Sequence, residues 1–315
     1  MTRAFVFPGQ GSQVVGMGKA LAEAFSAARD VFGEVDEALS QGLSRLMFEG
    51  PEAELTLTEN AQPALMAMSL AVLRVLEKEG GLKLGEAARC VAGHSLGEYS
   101  ALAAAGGLEL AVTARLLKTR GEAMQKAVPV GEGAMAALLG LDLEAASEIA
   151  ALAAGETGGV CATANDNAPG QAVVSGARAA VERAIELAAE RGAKKSVRLP
   201  VSAPFHCSLM QPAADAMREA LSGVAIRPPV VPLIANVTAK PVSDPETIRR
   251  LLVQQVTGMV RWRESVLEMK EMGATDLIEL GAGRVLCGLA RRIDRELAAT
   301  AIGTPGDIEA YLAGK

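Results

Sequence analysis

Histidine is nearly absent from this sequence: His94 and His206 are the two residues of that type in a chain of 315. Chemistry that needs an imidazole has only those two positions to draw on. Aromatic residues make up 3% of the chain, too few for the stacking platforms that hold single-stranded nucleic acid. No block of five like charges occurs, and 31 basic residues stand against 37 acidic ones, a net charge of −6. That balance lacks the polybasic stripe of a DNA-binding or membrane-surface protein. Apolar runs stay short of the roughly 18 residues a membrane span requires. The N-terminal run is stopped by Pro8 and reads as a strand rather than an export signal. Cys90, Cys161, Cys207 and Cys287 are scattered without a CxxC pair, the pattern of reduced thiols in the cytoplasm. No group of His, Cys and acidic residues has metal-ligand spacing.

What is abundant is apolar residue content, 50%, with 33 glycines. This suits helices packed closely on a sheet, in one large core with a subdomain or in two modest domains. Residues 4–7 predict a buried strand that ends at Pro8-Gly9. Helical periodicity follows at about 17–39, 61–79, 97–105 and 110–127, and 89–93 reads as a strand. Strands alternating with helices imply a parallel sheet covered on both faces. Residues 134–141, 143–154, 159–164, 171–175, 177–191 and 195–199 read in turn as β-α-β-β-α-β, the ferredoxin-like order. The expected fold is therefore a large α/β-hydrolase-like parallel-sheet domain, residues 1–129 and 204–315, with a small ferredoxin-like subdomain inserted at 130–203. After it, 230–236 is a strand, 244–272 mostly helix, 275–280 the final strand, and 284–297 the final helix.

Gly93-His94-Ser95-Leu96-Gly97 matches G-x-S-x-G between a predicted strand and a predicted helix. Glycines at both ends relieve crowding in a sharp turn that exposes the serine oxygen above the sheet. The following helix start directs N–H groups at an oxyanion forming there. A chance Gly/Ser turn is the bland alternative, but the strand–turn–helix context argues against it. A serine hydroxyl needs a base to take its proton, a role that contributes roughly 10²–10⁴-fold. His94 adjoins Ser95, and adjacent side chains diverge on such a turn. His206, in the proline-stiffened Ser202-Ala203-Pro204-Phe205-His206-Cys207, is left as the base by elimination. Nothing in the sequence suggests a depressed thiol pKa for Cys207.

Val112, Leu116, Arg120 and Met124 recur at i+4 spacing, so Arg120 interrupts an apolar stripe, with Arg115, Glu122 and Lys126 on the other side. A guanidinium turned inward needs an anion. An internal salt bridge or a snorkelling side chain would satisfy it, and so would a substrate carboxylate gripped bidentately.

Taken together, these residues closely resemble the malonyl-CoA:acyl-carrier-protein transacylases of fatty-acid synthesis, over essentially the whole chain. The shared motifs are Phe7-Pro8-Gly9-Gln10-Gly11-Ser12-Gln13, the segment Gly93 to Tyr99, Arg120, Asn165-Asp166-Asn167-Ala168-Pro169-Gly170-Gln171, Pro204-Phe205-His206 and Gly281-Ala282-Gly283-Arg284-Val285-Leu286. The resemblance implies a malonyl ester on Ser95, an oxyanion hole from the N–H groups of Gln10 and Leu96, and Arg120 on the malonyl carboxylate. It implies a main-chain carbonyl behind His206, from Gln255 counted back from Trp262, with Gln254 as the adjacent alternative. Asn167 and Gln171 match positions that face the acyl or pantetheine arm. Met259 departs from the family, where a proline is often found. Phe205 resembles members that prefer malonyl over methylmalonyl.

The implied reaction is ping-pong from malonyl-CoA to the phosphopantetheine thiol of acyl carrier protein, with no permanently bound cofactor. The carrier is an acidic partner, for which Lys194, Lys195, Arg284, Arg291 and Arg292 are candidate contacts. A serine esterase or thioesterase of α/β-hydrolase type shares the turn, but its histidine usually follows an acid near the C-terminus. A non-catalytic carrier-binding module would carry a degenerate site, whereas Ser95, His206, Gln10 and Arg120 are all present.

Overall fold

Alternation along the first strand divides the core in two. In β1 (Arg3–Phe7), Phe5 and Phe7 enter one hydrophobic cluster while Ala4 and Val6 enter another, as the two-residue repeat of a strand requires. The computed structural model describes residues 2–314. In it β1 lies at the middle of a six-stranded sheet with β2 (Ala88–Gly93), β7 (Leu233–Ala235), β8 (Lys240–Val242), β9 (Asp276–Leu280) and β10 (Ala298–Ile302). Their order is β10-β9-β1-β2-β7-β8, parallel except for the edge strand β8. Helices Ser26–Leu39, Thr58–Gly80, Leu96–Ala104 and Leu110–Ala127 contribute to the first cluster, and Trp262–Glu271 and Val285–Ile293 to the second. Each large side chain taken fully inside, such as Phe5 or Trp262, contributes about 1.5–3 kcal/mol.

The second sheet joins β3 (Gly133–Leu139), β4 (Cys161–Ala168), β5 (Gln171–Ala177) and β6 (Lys195–Arg198) in the antiparallel order β4-β5-β3-β6. That is the ferredoxin-like arrangement. Helices Leu143–Thr157 and Arg178–Glu190 cover one face with an alanine-rich core. The sheet is tied to the larger body through β4. Val260 donates to the carbonyl of Ala164 (2.9 Å) and accepts from the N–H of Asp166 (3.0 Å), and Arg263 pairs with the buried Asp166 carboxylate at 2.9 Å.

Several expected elements are corrected. The helix expected over 17–39 is two, Lys19–Ala24 and Ser26–Leu39, separated by Phe25 in extended conformation. A single extended residue leaves the apolar pattern almost intact and escapes it. The region 244–272 is mostly helical, as expected, in two helices, Pro245–Gln255 and Trp262–Glu271, and the segment between them reaches β4. The helix expected to reach 297 stops at Ile293, and the strand expected to be last is followed by β10. This edge strand is half exposed and alanine-rich, so it carries no strong strand signal. Strand 159–164 becomes the longer β4, with two register irregularities. Among the described residues, no helix is long and apolar enough to cross a membrane.

One helix contact sets the site's floor. A Cβ on Gly121 would lie 2.4 Å from Glu59 Cα and 2.7 Å from Thr58 O, so glycine lets Leu110–Ala127 cross Thr58–Gly80 closely. Gly121→Ala is therefore expected to lower stability by about 1–3 kcal/mol, the usual scale for overpacking. Gly288→Ala, in a helix with open space around it, is expected to be neutral or stabilising by about 0.5–1 kcal/mol. Denaturant titration of the two variants checks this; equal effects would contradict the packing argument.

Candidate active site

Ser95 stands between β2 and the helix Leu96–Ala104 with φ 53° and ψ −110°, a left-handed backbone that non-glycine residues seldom adopt. The glycines around it are sterically required. A Cβ on Gly93 would sit 1.8 Å from Gly97 O, and one on Gly97 would sit 2.2 Å from Phe7 O. The turn is also strapped from outside. Asn236 accepts the Ser95 N–H at 2.8 Å through Oδ1 and donates through Nδ2 to Gly93 O at 2.7 Å.

His206 is buried, with its Nε2 2.8 Å from Ser95 Oγ. Its Nδ1 faces two main-chain carbonyls, Gln255 O at 2.8 Å and Gly258 O at 3.1 Å. Carbonyls only accept, so Nδ1 must carry the proton and Nε2 presents its lone pair to the serine hydroxyl. This is the tautomer a general base requires. The carbonyl of Gln254 is engaged elsewhere, accepting from Gly258 N–H. Burial, chiefly, and then the Arg120 charge press the His206 pKa down to about 3. His94 is also pushed below the ordinary histidine range by burial. Its Nε2 lies 2.9 Å from Asn167 Oδ1, away from the serine oxygen.

Arg120 is 1% exposed and has no carboxylate within salt-bridge distance among the described residues. Its Nη1 donates to Gln62 Oε1 (2.7 Å), and its Nη2 to Gln255 Oε1 (2.8 Å) and Ser95 Oγ (3.1 Å). Its Nε finds no acceptor among the described residues. The guanidinium lies 5.7 Å from the Tyr99 ring centroid. Burial lowers its pKa, yet an arginine stays protonated at neutral pH. A positive charge thus waits beside the serine oxygen, held by neutral amides.

The helix start leaves the Leu96 N–H without an acceptor among the described residues, and the same holds for the Gln10 N–H. The Gln10 side chain is fixed by Thr58 Oγ1 at 2.9 Å, which in turn accepts from Gln62 Nε2. Gln171 accepts from Arg292 at 2.6 Å, so in this state it is engaged with protein, as Asn167 is. Lys194, Lys195, Arg284, Arg291 and Arg292 are all exposed. Burial pushes the Cys207 thiol up, and its Sγ is 3.2 Å from Pro204 O, an inert environment. No three potential metal-binding side chains come together among the described residues.

Three residues at the site went unassigned in the sequence: Gln62, Asn236 and Glu98. Gln62 and Glu98 are polar positions in helices that are otherwise apolar on that side, the signal that singled out Arg120. Asn236 follows a three-residue strand and leaves no comparable trace.

An acyl transferase domain family matches residues 4–292 of the chain. Malonyl CoA-acyl carrier protein transacylase of Bacillus subtilis strain 168 is 47% identical over 306 residues, 97% of this chain and 95% of that protein. The Escherichia coli K12 protein of the same description is 44% identical, covering 98% of each. The solved acyl-carrier-protein-S-malonyltransferase from Bartonella henselae superposes with TM-score 0.96 at 58% identity, over 100% of this chain and 99% of that one. A malonyl-transacylase solved in complex with its type II PKS acyl-carrier protein gives TM-score 0.96 at 42% identity over 100% of both chains.

The two imidazoles give a direct test of the electrostatics. In ¹⁵N spectra His206 should stay neutral between pH 8 and 5.5 and His94 should titrate below the ordinary histidine range; titration of His206 near 6.5 would contradict its burial. The sign for stability follows. His206 is held neutral in the fold but free to protonate when unfolded, so its contribution is complete above about 6.5. It is lost progressively as pH falls from 6.5 towards about 3.

Proposed function

The chain belongs to the malonyl CoA-acyl carrier protein transacylases, and from that premise we propose how its residues divide the work of the transfer. The enzyme moves malonyl from CoA to the phosphopantetheine thiol of acyl carrier protein. Ser95 Oγ attacks the thioester carbonyl while its proton passes to His206 Nε2. The oxyanion is met by the N–H groups of Gln10 and Leu96. Collapse breaks the carbon–sulfur bond, CoA sulfur takes the proton from His206, and malonyl remains on Ser95 as an ester. In the second half the carrier thiol gives its proton to His206 and attacks that ester. Ser95 then leaves and recovers the proton. The carbonyl of Gln255 keeps the imidazole in the tautomer both halves need, and Asn167 and Gln171 lie towards the pantetheine arm. We assign the transfer to fatty-acid synthesis. The cytoplasm is the compartment we propose, consistent with four buried, unpaired cysteines.

The observation that carries the donor assignment is Arg120: a buried guanidinium without a carboxylate partner, 3.1 Å from the nucleophile. An esterase for neutral acyl groups has no use for it. Malonyl places a carboxylate one methylene beyond the attacked carbonyl, within reach of that charge. Charge-assisted hydrogen bonds of about 1.5–3 kcal/mol then separate malonyl from acetyl.

Two variants test this. Ser95→Ala should form no acyl-enzyme with malonyl-CoA, and an adduct in that variant would remove Ser95 from its role. Arg120→Ala should lose the malonyl-over-acetyl preference in kcat/KM by about 10–100-fold. Retention of that preference would contradict the clamp.

A further inference from the structure

Glu98 sits in the first turn of the helix that begins after Ser95, and the transfer as written gives it no task. It is nonetheless 1% exposed, an unusual place for a carboxylate. Its Oε2 accepts from Gln255 Nε2 at 2.7 Å and from the Asn236 N–H at 3.2 Å. Gln255 Nε2 also donates to Ser95 O at 2.8 Å. Both acceptors lie on one side of the Gln255 amide and the Ser95 carbonyl can only accept, so the NH₂ group must face them. The amide oxygen is then forced to the opposite side, where it receives Arg120 Nη2. The two charges of this buried cluster, Arg120 and Glu98, are thus linked through a neutral amide and do not touch.

We propose that Glu98 is a positioning residue for the transfer: it locks the Gln255 amide towards Arg120 and supplies the counter-charge of Arg120 at one remove. This rests on the reading of Arg120 as the malonyl clamp. A direct Glu–Arg fork would be the stronger bond, but it would occupy the guanidinium edge that a substrate carboxylate must take. An arginine with no counter-charge would be costly to bury. The relay meets both demands, because the field of the carboxylate reaches Arg120 while the guanidinium itself is held by neutral oxygens that leave its charge unpaired.

Burial raises the Glu98 carboxyl to about 7, opposed by the Gln255 and Asn236 donors and by Arg120. Its ionisable neighbours are Arg120, from the Leu110–Ala127 helix, and Tyr99, from its own. Gln255 and Asn236, from the two other elements packed on it, carry no charge. The carboxylate is the form present at pH 8.

The test compares Glu98→Gln and Glu98→Ala with the unmodified enzyme at pH 8, using malonyl-CoA and acetyl-CoA as donors. Glu98→Gln keeps an acceptor oxygen but removes the anion that shares Arg120 with the substrate. The malonyl KM should fall relative to the acetyl KM by about fivefold, the effect of removing one partly screened like charge. Glu98→Ala frees the Gln255 amide, and should lower kcat with both donors and reduce the malonyl preference. A merely structural Glu98 would change both donors in the same ratio in both variants, and that result overturns the proposal.

A thermal cycle with Arg120→Met guards against variants that do not fold. Glu98→Gln should be more damaging beside Arg120 than beside Met, so rescue of folding in the Met background counts as support. Equal shifts in both backgrounds, or failure in both, overturn the proposal. Loss of the clamp reading is distinguishable, because Arg120→Ala would then keep its malonyl preference while the thermal coupling persisted.

Discussion

Gln255 is the point at which the site's separate parts are held to one another. Its main-chain carbonyl takes the proton-bearing nitrogen of His206, its amide oxygen takes Arg120, and its amide nitrogen holds the carbonyl of Ser95. A hydrolase of similar outline would place an acid behind its histidine. Here a carboxylate in that place would stand close to a buried guanidinium and pair with it. A carbonyl orients the imidazole without adding a charge, so no carboxylate of the enzyme's own stands behind His206 to pair with Arg120 directly. The cost is a histidine whose protonation is strongly opposed, its pKa pressed to about 3 by burial and Arg120. That suits the base we propose it to be, which must be neutral at the start of both half-reactions.

This arrangement depends on close backbone approaches that only glycine permits. Gly93 and Gly97 let the serine turn press against its own helix start and against β1. Gly121 lets the arginine helix approach the helix that carries Gln62. Asn236 then stitches both sides of the turn, stabilising a serine backbone that is otherwise strained. The segment between Gln255 and Trp262 is pinned on its far side to β4 by paired main-chain bonds at Val260. The smaller sheet is thereby joined to the loop whose carbonyls face His206.

Much of this was legible in the amino-acid order. The parallel sheet, the ferredoxin-like order and the serine turn follow from periodicity and from glycine spacing, which are local signals. His206 could be reached because only two histidines exist, and Arg120 because it interrupts an apolar stripe. The remainder is non-local. Asn236 lies 141 residues from the serine N–H it accepts, and no pattern near either residue announces the other. Glu98 stood inside a recognised motif, but its meaning depends on Gln255, 157 residues away. Phe25 and β10 were missed for a different reason: one extended residue, and one half-exposed edge strand, change the hydrophobic pattern too little.

The central claim is that a malonyl group rests on Ser95 between two thiols. Intact-protein mass spectrometry follows it most directly, on enzyme mixed briefly with malonyl-CoA and then divided between buffer and holo carrier protein. The account predicts a malonyl-sized adduct on the Ser95 peptide that persists in buffer and moves to the carrier when the carrier is added. An adduct lost equally fast to water, or one found on another residue, would contradict it.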